Sequence, residues 1–192
     1  GMYEKGDTQT VSNITVSVAK KSEEIAKIEI LDGNTIIATQ EDESIINGGT
    51  FNYAIDVKIN SDKKLAMKIT DSLGKTVLCS TNQLSFVYPY YIGVCDEDAE
   101  INEELILGLN KKIEMKGNKT INYTTNNQKM IIAYPVEYGT ISKIYDANNF
   151  DITSSFKCNT ISVTGLDGVM QSYYVYNNDV STVKDFAIKF SY

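Results

Sequence analysis

Three residue types are missing from this chain of 192 residues, which contains no histidine, no arginine and no tryptophan. Histidine is the commonest general base and metal ligand, so its absence excludes Ser-His-Asp and Cys-His catalytic sets. Arginine is the usual bidentate partner of phosphate and guanine, and the formal net charge of −7 repels polyanions. The composition therefore predicts a protein that is not an enzyme and does not bind nucleic acid.

Cysteine and long apolar segments are also scarce. The three cysteines, Cys79, Cys95 and Cys158, are too widely spaced for a zinc motif or a disulfide framework, so we interpret them as reduced thiols. No apolar run reaches the roughly 18 residues of a membrane helix, and membrane insertion is not expected. No phosphate-binding glycine loop or Rossmann motif appears, so we predict no cofactor and no metal.

Alternation of apolar and polar residues with a period of two dominates the first half of the chain. The clearest example follows Gly48-Gly49, where apolar side chains recur at every second position up to Ile59. Asp32-Gly33-Asn34 and "DSLGK" at 71–75 are typical turn sequences. These patterns indicate about seven short antiparallel strands. We therefore predict an immunoglobulin-like β-sandwich over residues 1–87.

The second half is predicted to form another β-sandwich, over residues 88–192, with one short helix. Ile101, Leu105 and Leu109 share one helical face and place that helix near residues 99–109. "MIIAY" at 130–134 is apolar on both faces, as in a central strand, and a closing strand alternates from Phe186 to Tyr192. The predicted fold class is all-β, with two tandem β-sandwich domains.

An acidic run, "CDEDAE" at 95–100, precedes the predicted helix. Carboxylates suit the start of a helix, because the helix dipole is positive there. Two alternatives for these residues are a calcium-binding loop and a pair of glycosidase carboxylates, Asp96 and Asp98. The run lacks the glycine and glutamate spacing of an EF-hand, so the pattern favours a solvated helix start.

Aromatic residues gather in "FVYPYYIGV" at 86–94, close to the middle of the chain. A sugar-stacking platform, a buried strand and a junction between two domains would each explain them. Pro89 donates no hydrogen bond and ends the preceding strand, which favours the junction. The candidate binding or junction surface consists of five tyrosines: Tyr88, Tyr90, Tyr91, Tyr138 and Tyr173. The simpler interpretation, which we favour, is that strand tyrosines cover the edges of a core.

Three segments of the second half carry a family resemblance: "FVYPYYIGV", "KGNKTINYTTNNQKMIIAYPVEYGTISKIYDANNFDITSSF" and "YYVYNNDVSTVKDFAIKFSY". They resemble the C-terminal part of phage and prophage tail structural proteins of gut-type Firmicutes, baseplate or tail-fibre associated. "VSNITVSVAKKSEEIAKIEILDG" and "GGTFNYAIDVKI" resemble the immunoglobulin-like module that precedes the junction in those proteins. The acidic "CDEDAE" is a departure, because the corresponding segment of those proteins is less charged.

The resemblance implies a non-enzymatic tail module that takes part in virion assembly and host-surface attachment. Its expected partners are other virion tail proteins, a glycan or protein of the host surface, and further copies of the chain. The expected location is the virion, assembled in the host cytoplasm. The alternative is a bacterial surface adhesin or carbohydrate-binding β-sandwich protein, located outside the cell or at its surface. The N-terminal "GMYEKGDTQT" lacks the apolar core of a signal peptide, which argues against export if Met2 is the natural start.

Overall fold

A computed structural model describes residues 1–123, 127–179 and 186–191 of the chain. The fold is all-β, as the sequence predicts, because strands account for nearly all of its regular structure. The chain divides into two compact units. The first unit is Asp7–Phe86 together with Gly1, and the second is Val87–Tyr192 together with Met2–Gly6. The division thus follows Phe86 and assigns an N-terminal segment to the second unit, whereas the predicted boundary followed residue 87.

The strands of the first half agree with the period-two segments of the sequence. In chain order they are β1 (Met2–Glu4), β2 (Gln9–Ala19), β3 (Ile25–Asp32), β4 (Thr35–Gln40), β5 (Gly48–Ile59), β6 (Lys63–Asp71) and β7 (Thr76–Val87). A 3₁₀ turn, Glu43–Ile45, precedes β5. Gly33, with φ of +61°, makes the tight turn between β3 and β4, a conformation that glycine adopts without steric cost.

Two antiparallel sheets build the first unit. β2 pairs with β5, while β4, β3, β6 and β7 are neighbours in that order. Alternate residues of both sheets are buried in one shared core, and in β5 the buried residues are Tyr53, Ile55 and Ile59. The main cluster of buried residues consists of Val16, Val18, Ile25, Ile28, Ile30, Ile45, Tyr53, Ile55, Leu65 and Met67, and Ile59 and Phe86 are buried outside this cluster.

The second unit also contains two antiparallel sheets. Its elements are β8 (Tyr90–Asp96), α1 (Glu103–Gly108), β9 (Asn110–Lys112), β10 (Lys119–Tyr123), β11 (Gln128–Pro135), β12 (Lys143–Tyr145), β13 (Phe156–Thr164), β14 (Met170–Asn178) and β15 (Phe186–Ser191). The larger sheet has the order β13-β14-β11-β8-β9, and the smaller has the order β10-β15-β12. Short 3₁₀ turns lie at Val136–Tyr138 and Thr153–Ser155. The predicted closing strand is present, but Tyr192 and the side chains of β15 lie outside the described residues.

The central strand of the larger sheet is β11, whose residues Met130 to Pro135 are all buried. One face of the sheet packs against β10 and β12, and the opposite face packs against α1 and its flanking residues. The prediction of a central strand at "MIIAY" is therefore confirmed. The double burial explains why this segment shows no alternation in its sequence.

The helix is shorter than predicted, since α1 covers Glu103–Gly108 and not residues 99–109. The Asn102 side chain caps it by accepting a hydrogen bond from the Leu105 amide at 3.0 Å. The chain is extended again at Leu109, where β9 is about to begin. Ile106 is the fully buried helical residue, whereas the predicted apolar face is only partly buried. Among the described residues, no helix is long and apolar enough to cross a bilayer.

Candidate functional site

The five tyrosines predicted as a binding or junction surface all lie in the second unit and are all buried. Their exposed fractions are 6% for Tyr88, 3% for Tyr90, 3% for Tyr91, 7% for Tyr138 and 2% for Tyr173. Stacking of a sugar requires an open ring face, and rings this deeply buried do not offer one. The burial agrees with the interpretation that these residues pack in a core.

The larger sheet separates the tyrosines into two groups. Tyr90 and Tyr91 are consecutive in β8, so their side chains point to opposite faces. On one face, the Tyr90 and Tyr134 rings are stacked with centroids 4.5 Å apart, and Tyr138 lies 6.3 Å from Tyr134. On the other face, Tyr91 and Tyr173 are tilted against each other at 5.8 Å. The predicted residues therefore do not form one continuous surface.

Four of the five hydroxyl groups donate hydrogen bonds within the second unit. Tyr173 donates to the Pro89 carbonyl at 2.9 Å, and Tyr138 donates to the Tyr88 carbonyl at 3.3 Å. Both acceptors lie in the aromatic segment at 86–94, so the buried tyrosines of later elements hold its backbone in place. Tyr88 donates to Asp167 at 3.0 Å and Tyr90 donates to Glu114 at 3.1 Å.

Glu114 and Lys119 form a polar cluster with Tyr90 that the sequence did not predict. The Lys119 ammonium lies 2.5 Å from the Glu114 carboxylate and 5.6 Å from the centroid of the Tyr90 ring. The hydrogen bond from Lys119 lowers the pKa of Glu114, with the Tyr90 hydroxyl as a further donor. Glu114 lies outside the segments that carry the family resemblance, and Lys119 lies within one of them but was not predicted as a site residue. The only sequence signal was a pair of opposite charges between the predicted strands.

The N-terminal segment Met2–Gly6 supplies a second unpredicted cluster. Glu4 is only 7% exposed, and its carboxylate accepts a hydrogen bond from Lys111 at 2.8 Å. The Lys5 ammonium lies 4.1 Å from the centroid of the Tyr88 ring and 3.7 Å from Glu137. The Lys5 amide donates to the Val87 carbonyl. These contacts account for the assignment of this segment to the second unit.

Burial keeps the buried phenols in their neutral form. It raises the pKa of Tyr91, Tyr138 and Tyr176 to about 12, and it also raises the pKa of Tyr90 and Tyr173. A hydroxyl with a raised pKa is a hydrogen-bond donor at neutral pH and not a phenolate base or nucleophile. The arrangement is therefore suited to holding backbone and carboxylate groups in position.

The remaining candidate groups are dispersed. The acidic residues predicted to be solvated are exposed: Asp96, Glu97, Asp98 and Glu100. Within residues 1–123, 127–179 and 186–191, no three His, Cys, Asp or Glu side chains come together as a metal site would require. Cys79, Cys95 and Cys158 are free thiols, and burial raises the pKa of the Cys95 thiol, which opposes thiolate formation.

Comparison with protein-family models, with curated proteins and with solved structures gives no match for this chain. The functional interpretation therefore depends on the site geometry and on the motifs of the sequence.

Proposed function

We propose that this chain is a non-enzymatic structural module of a phage or prophage tail, which assembles with other virion proteins and contacts the host surface. The motifs at 86–94, 116–156 and 173–192 suggest the family, and the tyrosine core supplies the physical argument. The location that follows is the virion, after assembly in the host cytoplasm.

The proposal includes two tandem β-sandwich domains, the first of them immunoglobulin-like. In immunoglobulin folds strands B and E lie in one sheet, while C, F and G lie in the other, which C′ extends in some members. If β2 to β7 are B, C, C′, E, F and G, the observed pairing of β2 with β5 and the order β4-β3-β6-β7 follow that scheme. In the second unit, the tyrosine core lies between a larger and a smaller sheet, as in a sandwich.

The observation that supports a structural role is that the tyrosine hydroxyls form hydrogen bonds within their own unit. Four of the five predicted tyrosines donate to groups of the same unit, and their rings are buried. A substrate site would need polar groups that converge on open space, whereas these groups converge on one another. Each internal hydrogen bond contributes about 0.5–1.5 kcal/mol, which suits a module that must keep its shape under load.

A bacterial surface adhesin or carbohydrate-binding module is the second candidate. Such a module needs aromatic rings in contact with solvent. Phe150, which is 68% exposed, is the one aromatic residue among the exposed large apolar side chains of the described part of the chain. A single ring supports this candidate less well than the buried cluster supports the structural one.

The test is the composition of virus particles. The strain that carries the gene is induced, the particles are purified on a density gradient, and their proteins are quantified by mass spectrometry. We expect this chain in the particles at a fixed ratio to the major tail proteins. Its recovery in the washed cell envelope, and not in particles, would refute the tail function and support the adhesin.

Catalytic activity is tested separately with peptide, ester and glycoside substrates. We expect no turnover above the buffer rate. A rate that is abolished by Asp98→Asn, in the exposed acidic segment, would show that the chain is an enzyme.

A further inference from the structure

The first unit has an edge strand without the usual protection against pairing. In the part of the chain that the structure describes, β2 pairs with β5 alone, so its other edge presents unpaired backbone groups. Edge strands are normally protected by charged residues, proline, short length or a bulge. β2 has eleven residues, "QTVSNITVSVA", none of them charged and none a proline. A bulge between Val11 and Asn13 is its one irregularity.

A slot lies beside this edge, between β2 and the strands β6 and β7 of the other sheet. Its cavity volume is about 410 Å³, within the range of ligand pockets. Leu65, Met67 and Leu84 contribute apolar side chains from β6 and β7, and β2 contributes residues from Val11 to Ser17. None of the lining residues that the structure describes is charged, in a chain whose formal net charge is −7.

The strand order indicates what is missing at this edge. In an immunoglobulin sheet, strand A pairs with strand B on the side away from strand E. β2 occupies the place of B and β5 that of E, and none of the described residues occupies the place of A. A strand in that place would bond to the β2 backbone and direct every second side chain into the slot.

We propose that the free edge of β2 and the adjoining slot bind one extended strand of another polypeptide, uncharged and with apolar side chains at alternate positions. The uncharged lining selects the chemistry of this strand, because a charged side chain buried there would have no partner. A second copy fits less well. Its β2 already buries Val16 and Val18 in its own core and could not also fill the slot. The proposal does not depend on the tail function.

The probe is a synthetic peptide of about eight residues in which valine alternates with threonine. It is added to the isotopically labelled full chain and followed by nuclear magnetic resonance. We expect slower hydrogen exchange at β2 amides and shifted methyl signals of Leu65, Met67 and Leu84. A control peptide of the same composition, with its valines grouped together, should produce neither change.

Two matched variants locate the binding. Asn13 and Ala54 are both exposed and lie opposite each other in the paired strands β2 and β5, but only Asn13 lines the slot. Asn13→Lys should weaken peptide binding on the order of tenfold, since it adds a charge at the edge that the peptide covers. Ala54→Lys, which adds the same charge to the neighbouring strand, should leave the affinity unchanged.

Four outcomes would overturn the proposal. Unchanged β2 amides with the alternating peptide, or equal binding of the two peptides, would show that no strand is added. Methyl shifts without amide protection would identify a pocket for small apolar molecules. Sedimentation that shows a dimer of the chain alone, converted to a monomer by Asn13→Lys, would identify a second copy as the occupant.

Discussion

The two units differ in what fills their cores. The ten residues of the main buried cluster in the first unit include one tyrosine, Tyr53, and are otherwise aliphatic or thioether side chains. The two clusters of the second unit include four buried tyrosines on one face and two on the other. An aliphatic core is stabilised by the area it removes from water and tolerates exchange of similar shapes. A tyrosine core must also satisfy each hydroxyl, so its geometry is specified by hydrogen bonds.

The largest difference between the two units should be in the pH at which each one unfolds in alkaline solution. The folded pKa of Tyr91, Tyr138 and Tyr176 is about 12 against an ordinary value of 10.0. As pH rises, the unfolded chain loses these protons first, so the stabilisation is complete below about pH 10 and is lost between 10 and 12. We expect the second unit to unfold before the first in a pH titration.

Methyl signals of Ile132 for the second unit and Ile30 for the first report the two transitions separately in nuclear magnetic resonance. Both residues are fully buried. Loss of both signals at the same pH would contradict the role assigned to the buried phenols.

Removal of one large buried ring from each unit should produce the next largest effect. Phe86→Ala should destabilise the first unit and Tyr134→Ala the second, each by about 3–5 kcal/mol, because each leaves a cavity. Phe150→Ala is the control, since that ring is 68% exposed and its removal should change stability by less than about 0.5 kcal/mol. Urea denaturation measures all three. An unchanged midpoint for Phe86→Ala would show that this side chain is not a core residue.

Removal of a single hydroxyl should produce the smallest effect and the sharpest contrast. Tyr173→Phe leaves the buried Pro89 carbonyl without its donor and should cost about 1–3 kcal/mol. Tyr53→Phe removes a partly buried bond to the Gln40 side chain at 3.0 Å and should cost less, about 0.5–1.5 kcal/mol. Denaturation of both variants under one set of conditions checks the order. Equal costs would mean that the hydroxyls of the second core are not essential to its geometry.

Much of the fold could be predicted from local patterns. Strand β5, the Gly33 turn and the central strand β11 each have a periodicity or turn residue that depends on near neighbours alone. The extent of α1 was less predictable. The helix begins four residues later than predicted, after the capping residue Asn102, and it stops at Gly108 because β9 begins at Asn110 and pairs with β8.

The site was less predictable than the fold. The tyrosine content indicated which segments contribute to the candidate site. Period-two alternation could not show that other elements would pack against both faces of β8. Glu4 and Lys111 pair across more than a hundred residues, and Glu114 pairs with Tyr90 on another strand. A single charged residue in the sequence does not indicate which distant residue it will contact. Their positions depend on the complete sheet and so could not be inferred from spacing.

The segment Met2–Gly6 has a consequence for the order of events during synthesis. It is made before the rest of the second unit, and its partners Lys111 and Glu137 follow more than a hundred residues later. The first unit lies between them in the sequence and can acquire its own sheets while Glu4 and Lys5 are still in water. The second unit is complete only when this early segment is recruited, so its folding must wait until Lys111 and Glu137 have been made. A nascent chain stalled before Lys111 would carry the Glu4 carboxylate without the ammonium group that binds it in the folded unit.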